Sequence, residues 1–246
     1  MANKERLEIA KTITKLIVQK YGNEILLVGV YGSVAKEEDM EFSDIDMYVI
    51  TKNLSFQKYF AYKEIPITIH FKTKKEVLEI IRNVTSTWPA EVHKFLFPKV
   101  LYGSETLLDE FRQIVNKISK KEFQKAASTA LIEIFENVGK VRNACKQRNL
   151  GRCIEAVWNV VWHAEMYVAL INKKYYEKPG FRSLGEVLKF EKIPEKYCEL
   201  VKTLWTSKDF DELSTASMEL WKNCLKLAKK EGIKFENYTS LNETKL

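Results

Sequence analysis

The stretch Gly29-Val30-Tyr31-Gly32-Ser33-Val34-Ala35-Lys36, running on through a polar excursion to Ser43-Asp44-Ile45-Asp46-Met47-Tyr48-Val49, organises the chain. It reads as an apolar strand from Ile25 to Tyr31, a Gly-Ser turn, and a second strand over 45–51 that carries two carboxylates. Strand side chains alternate faces with period two, so Asp44 and Asp46 project from the same side. Like charges at that spacing repel, and a divalent cation between them converts the repulsion into binding. Hard cations such as Mg²⁺ take carboxylate oxygens and keep positions for phosphate oxygens. The Gly32-Ser33 turn, opening a short helix near 33–37, offers backbone N–H groups to an anion. A phosphate cradle beside a metal-binding acid pair points to chemistry on a nucleotide.

Outward from this stretch, apolar residues at helical spacing (Leu7, Ala10, Ile13, Ile17, Tyr21) predict a helix over 4–21, closed by Gly22. Downstream, Lys52 to Glu64 reads as a polar connection, and Ile65 to Phe71 as a third strand. Pro66 marks that strand as an edge or a strand beginning. A helix over 74–83, a short helix after Trp88-Pro89, a last strand at Val100–Gly103 and a helix near 105–118 capped by Ser104 follow. From Lys121 only helical periodicity remains, over 121–147, 152–173, about 183–190, 195–206 and 209–230. The helix 152–173 is apolar nearly all round and reads as buried and central. Strands first and helices afterwards give an α+β fold: a mixed β-sheet domain with helices over 1–120, then an all-α helical bundle over 121–246. The polar tail after Phe235 reads as loosely ordered.

Composition bounds the function. With 246 residues, 46% hydrophobic and 30% charged, the chain is that of an ordinary soluble protein. No apolar run reaches the length of a membrane span, and the N-terminal residues lack a signal-peptide apolar region, so a cytoplasmic protein is expected. Cys145, Cys153, Cys198 and Cys224 have no CxxC spacing and read as reduced, buried thiols. The net charge of +7 suits a phosphate-bearing substrate better than a polycation. No lysine run is dense enough for a nucleic-acid-binding tail. His93 and His163 read as isolated and structural, and Trp158, Trp162, Trp205 and Trp221 as core.

The block Gly32-Ser33 … Ser43-Asp44-Ile45-Asp46 resembles the signature of the DNA polymerase β-like nucleotidyltransferase superfamily, Gly-Ser followed by Asp-x-Asp/Glu in a strand. With it, Trp88-Pro89, Phe135-Glu136-Asn137-Val138-Gly139-Lys140-Val141-Arg142-Asn143 and Trp221-Lys222-Asn223 look like the kanamycin (aminoglycoside 4′) nucleotidyltransferases, over nearly the whole chain. The resemblance implies transfer of AMP from ATP to an acceptor hydroxyl, with Mg²⁺, in a homodimer with active sites between subunits. The first domain would bind nucleotide and metal, and the second would serve acceptor binding and dimerisation. Gly32, Ser33, Lys36 and Ser43 would contact the nucleotide, Lys36 standing where the family has an arginine. Asp44 and Asp46 would bind the metal. Glu136 matches the general base and Lys140 a lysine on the α-phosphate side. Read from the residues alone, Glu136 and Lys140 form an i,i+4 surface pair.

Two departures shape the expectation. Where the superfamily has a third acid on the next strand, this chain has Thr68, a poorer ligand for Mg²⁺ than a carboxylate. The metal would then be weakly held, or a single metal would serve, or Glu64 would reach in. His70 beside it reads as a half-buried strand histidine. An acid one turn before the base is replaced by Ile132, and a lysine of the third strand by Pro66, which argues against an aminoglycoside acceptor. Two alternatives to a transferase for small molecules are a nucleotide-binding regulator without activity and an antitoxin-like protein that transfers AMP to a partner protein.

Overall fold

In the computed structural model, which describes residues 2–178, 184–235, 237 and 240, the first helix, α1 (Ala2–Tyr21), stops at Gly22. Gly22 takes a φ of +50°, which glycine enters without a Cβ penalty. The chain then forms β1 (Ile25–Tyr31), turns through the single-turn helix α2 (Gly32–Ala35), and returns antiparallel as β2 (Ile45–Thr51). Both strands are almost wholly buried, which ties their register to the core.

Residues 52–64, read from the sequence as a polar connection, contain a strand. β3 (Phe56–Tyr62) forms a hairpin with β4 (Ile65–Thr73) through Lys63 and Glu64, both at positive φ (49° and 63°). Every residue of β3 after Phe56 is exposed, so no apolar alternation marks the strand. Only its Phe and Tyr content hints at strand preference, and the turn lacks the Asn-Gly signal. Pro66 fits a strand beginning and not an edge, because β4 lies inside the sheet and its pairing with β2 starts at Ile67. With β5 (Lys99–Gly103) the sheet runs β3-β4-β2-β1-β5, parallel only between β2 and β4.

α1 covers one face of this sheet, laying Ala10 and Ile17 against Val28, Val30, Met47 and Phe71. Each Ile, Val or Phe fully buried there contributes roughly 1.5–3 kcal/mol. β4 leads into α3 (Lys74–Arg82), which opens on a capping box between Thr73 and Glu76. Then come α4 (Trp88–Glu91), α5 (His93–Leu96), β5 and α6 (Thr106–Asn116), where the Ser104 hydroxyl accepts the Thr106 N–H at 3.2 Å. On the sheet face away from α1, Phe95 packs edge-on against Tyr48 with ring centroids 5.4 Å apart.

The helices α7 (Lys120–Lys146), α8 (Leu150–Ile171), α9 (Leu184–Val187), α10 (Tyr197–Thr206) and α11 (Phe210–Lys230) form the second compact unit. Asparagine and aspartate caps begin α8 and α11: Asn149 accepts the Arg152 N–H, and Asp209 those of Asp211 and Glu212. Residues 84–90 group with these helices, while 1–83 and 91–118 make up the sheet unit. The cause is local. Trp88, almost fully buried, packs edge-on to Phe123, and the Tyr176 N–H donates to the Pro89 carbonyl at 2.9 Å.

α8 is not buried all round. Ile154 and Trp158 face solvent, and Trp158, 45% exposed, stacks in parallel on Trp162 with centroids 5.5 Å apart. None of the four tryptophans read as core is fully buried. Cys145, Cys153 and Cys224 are buried, Cys198 half-buried, and all four are free thiols. Among the described residues no helix is long and apolar enough to cross a membrane. The expectation of a loosely ordered tail, apart from residues 237 and 240, and the first residue of the helix expected near 183–190 fall outside the described residues.

Candidate active site

Strand register builds the site. Asp46 on β2 stands opposite Tyr31 on β1 and Thr68 on β4, and Thr68 stands opposite Tyr59 on β3. One repeat further along, Tyr48 is level with His70 and Ile50 with Lys72. Asp44, just before β2, is exposed, and Asp46 is half-buried. Burial, then the charge of Asp44, pushes the Asp46 carboxyl up to about 6, with Lys94 opposing the shift. The Tyr31 phenol is also pushed up, by burial first and then by Asp46 and Asp44. Gly32 adopts φ +71°, and a Cβ built on it would lie 3.6 Å from Asp46 Oδ2, so the turn backbone adjoins the carboxylate.

The pair therefore has the electrostatics of a cation site: two carboxylates whose joint ionisation is resisted until positive charge arrives. Hard oxygen donors from Asp44 and Asp46, with ligand oxygens or water completing the shell, fit Mg²⁺. A third carboxylate is missing, since among the described residues no group of three His, Cys, Asp or Glu side chains gathers to hold a metal. Glu64 does not fill the gap. It sits at the tip of the β3–β4 turn, four residues before Thr68, or about 13 Å along an extended strand.

Protons and metal compete for Asp46, which sets a pH dependence. Its folded value of about 6 lies above the usual carboxylate value, so the folded protein binds the proton more tightly than the unfolded chain. The stability this group contributes is fully present at low pH and is lost as pH rises through about 6, while Mg²⁺ affinity rises over the same window. Mg²⁺ titrations at pH 5 and pH 7.5 are expected to show clearly tighter binding at the higher pH. Equal affinities would exclude Asp46 as a ligand.

The loop carrying Asp44 is held by a residue that sequence periodicity hides. Arg6 on α1 donates from Nε to the Ser43 carbonyl at 2.9 Å and from Nη2 to the Glu41 carbonyl. Its Nη1 lies 3.6 Å from Asp39 Oδ2, with side chains 5% and 0% exposed. Among the described residues the Asp39 oxygens accept no hydrogen bond, so Arg6 is their compensation. Arg6→Met is expected to destabilise the fold by about 3–5 kcal/mol, because it strands a buried carboxylate. Urea unfolding checks this, and a change under about 1 kcal/mol would remove Arg6 as the anchor.

The remaining expected residues are placed as follows. Ser33 is half-buried in α2, and Lys36 closes that helix with helical backbone angles. The Ser43 hydroxyl accepts the Met40 N–H at 2.8 Å while the Ser43 N–H donates back to the Met40 carbonyl at 3.1 Å, so Ser43 braces the loop. Gly32, Asp44 and Asp46 thus come together in the sheet unit. Glu136 and Lys140 lie on α7 in the helical unit, Lys140 Nζ 2.8 Å from Glu136 Oε1, with side chains 55% and 62% exposed. No packing demands Gly139 between them, since a Cβ there would meet nothing within 4 Å. His163 is not isolated: its Nδ1 lies 3.1 Å from Glu133 Oε2, and Ser86 Oγ donates to Glu133 Oε1 at 3.0 Å. That carboxylate, one turn from Glu136, could be found only through the fold, because its partners are thirty and forty-seven positions away in sequence.

Comparison with known proteins finds relatives along nearly the whole chain. Residues 11–94 match the family described as polymerase beta, nucleotidyltransferase, and residues 105–234 match the KNTase C-terminal domain. An aminoglycoside nucleotidyltransferase (4′) from Bacillus sp is 24% identical over 237 residues, 94% of this chain and 93% of that protein. The protein of the same name from Staphylococcus aureus matches at the same identity and coverage. The crystal structure of a nucleotidyltransferase-like protein from Exiguobacterium sibiricum 255-15 has a TM-score of 0.50 at 13% identity, covering 90% of this chain and 75% of that one, and supports the fold. With the C-terminal match spanning more than half of its length and a polymerase-β-type domain in front, this chain belongs to the KNTase family of nucleotidyltransferases.

Proposed function

We propose that the protein transfers AMP from ATP to a hydroxyl of an acceptor, with Mg²⁺ at Asp44 and Asp46. The observation that carries this reading is the Gly32 turn lying against the Asp46 carboxylate, with Asp44 raising that carboxylate's proton affinity. A triphosphate along the turn would meet backbone donors and metal-binding oxygens together. Bound Mg²⁺ supplies charge neutralisation on the triphosphate. Gly32 and Ser33 hold phosphate oxygens, Lys36 adds a point charge without the bidentate fork of arginine, and Ser43 keeps the loop before Asp44 closed. Glu136 accepts the proton of the attacking hydroxyl, and Lys140, 2.8 Å away, orients it. The helical unit of this or a partner subunit supplies that base, in a homodimer in the cytoplasm, where ATP is available and the four cysteines stay reduced.

The two relatives carry aminoglycoside in their names. For this chain we favour a less cationic hydroxyl compound. Ile132, one turn before Glu136, is 48% exposed and apolar, and Phe135 beside it is also exposed. The net charge is +7, and Pro66 offers no side-chain charge. ATP labelled in its α-phosphate, offered with Mg²⁺ and a panel of aminoglycosides, neutral sugars, nucleosides and proteins, tests the reading. Label on a small hydroxyl compound together with released pyrophosphate supports it, and label on protein points to a protein acceptor. Thr68 in the third-acid position favours one other reading, a nucleotide-binding regulator. Mg-ATP binding without pyrophosphate release from any acceptor would select it.

A further inference from the structure

Lys94 is a half-buried cation that has no ion pair among the described residues. It sits on α5, whose position is set by its neighbours: Phe95 is buried against Tyr48, and Arg112 donates twice to the Leu96 carbonyl, at 3.0 and 2.8 Å. From there its ammonium acts electrostatically on Asp46, His70 and Lys72, all on the sheet face that holds the acid pair, and on Glu91. Lys72, level with Ile50 and two residues past His70, is likewise without an ion pair among the described residues. Lys94, Lys72 and the His70 imidazole gather positive charge on one face, which Glu91 and Asp46 offset only through space, with no carboxylate among the described residues paired to either ammonium. A half-buried ammonium left so beside an acid pair has its hydrogen-bonding capacity open to a phosphate oxygen.

Charge accounting connects this cluster with the missing acid. A third carboxylate at the Thr68 position, with a second divalent cation, would add a net charge of one positive unit to the site. The Lys94 ammonium adds the same unit with no metal. We propose that Lys94 stands in for the absent carboxylate and its metal, so that the site works with one divalent cation and grips the nucleotide's phosphate directly through Lys94. This rests on the nucleotidyl-transfer reading above and assigns a phosphate-binding residue that the motif does not contain.

The test is binding, not turnover. Isothermal titration of the full chain with the non-hydrolysable probe α,β-methylene-ATP in Mg²⁺ is expected to show Lys94→Met weakened about tenfold or more, and Lys94→Arg within about threefold of wild type. Mn²⁺ titration followed by electron paramagnetic resonance, with protein and probe at equal concentration, is expected to count one bound ion per site. Circular dichroism melts control for folding, and Lys94→Gln replaces Lys94→Met if the latter melts early. Unchanged affinity in the charge-removing variant, or two ions per site, overturns the role of Lys94 and leaves the transfer reading standing. Failure of the wild-type chain to bind the probe in Mg²⁺ overturns both.

Discussion

Replacing Asp44 and Asp46 together by asparagine is expected to abolish Mg-ATP binding and to cut transfer by about a thousandfold or more. A metal held against the triphosphate contributes several kcal/mol of charge stabilisation, and each 1.36 kcal/mol is a decade in rate. The same substitution should move stability the other way. The folded metal-free protein resists ionising Asp46 because of burial and the neighbouring Asp44, and two neutral amides remove that repulsion. Near neutral pH the double variant should therefore melt no lower than the metal-free wild type. Lost binding with retained or raised melting temperature separates a dismantled metal site from a damaged fold. Undiminished Mg-ATP affinity would move the metal elsewhere.

Glu136→Gln should leave nucleotide binding intact and lower turnover by about a hundred- to ten-thousandfold, the usual contribution of a positioned general base. The side chain is well exposed and its ion-pair partner among the described residues is the Lys140 ammonium, so stability should change by less than about 0.5 kcal/mol. Binding and turnover measured on one preparation give the needed contrast. Wild-type turnover in this variant would rule Glu136 out as the base. Glu133, three positions earlier on α7 and held by His163 and Ser86, would then be the next carboxylate to replace.

Much of the sheet unit was readable because its signals are local. β1, β2 and the turn between them appear in the sequence as buried apolar runs broken by Gly32-Ser33, and the spacing of Asp44 and Asp46 places both on one face without reference to any other element. The helices of the second unit were equally plain from their period, four of the five to within a few residues. β3 escaped because an edge strand whose residues are nearly all exposed has no apolar alternation to display. Residues 84–90 escaped because their partners, Phe123 and Tyr176, lie far along the chain.

The candidate site divides in the same way. By itself the sequence determined the family pattern, the phosphate-side turn, the acid pair and the absence of a third acid at position 68, since each depends on residue type and short spacing. Only the tertiary structure decided what surrounds them. It set the Gly32 backbone against the Asp46 carboxylate, took Glu64 away to a hairpin tip, drew Arg6 from the first helix to hold the loop before Asp44, and brought Lys94 on a four-residue helix within electrostatic reach of Asp46. Those are interactions between residues 14 to 48 positions apart, and charge acts through space, so their energies have no trace in the local order of the chain.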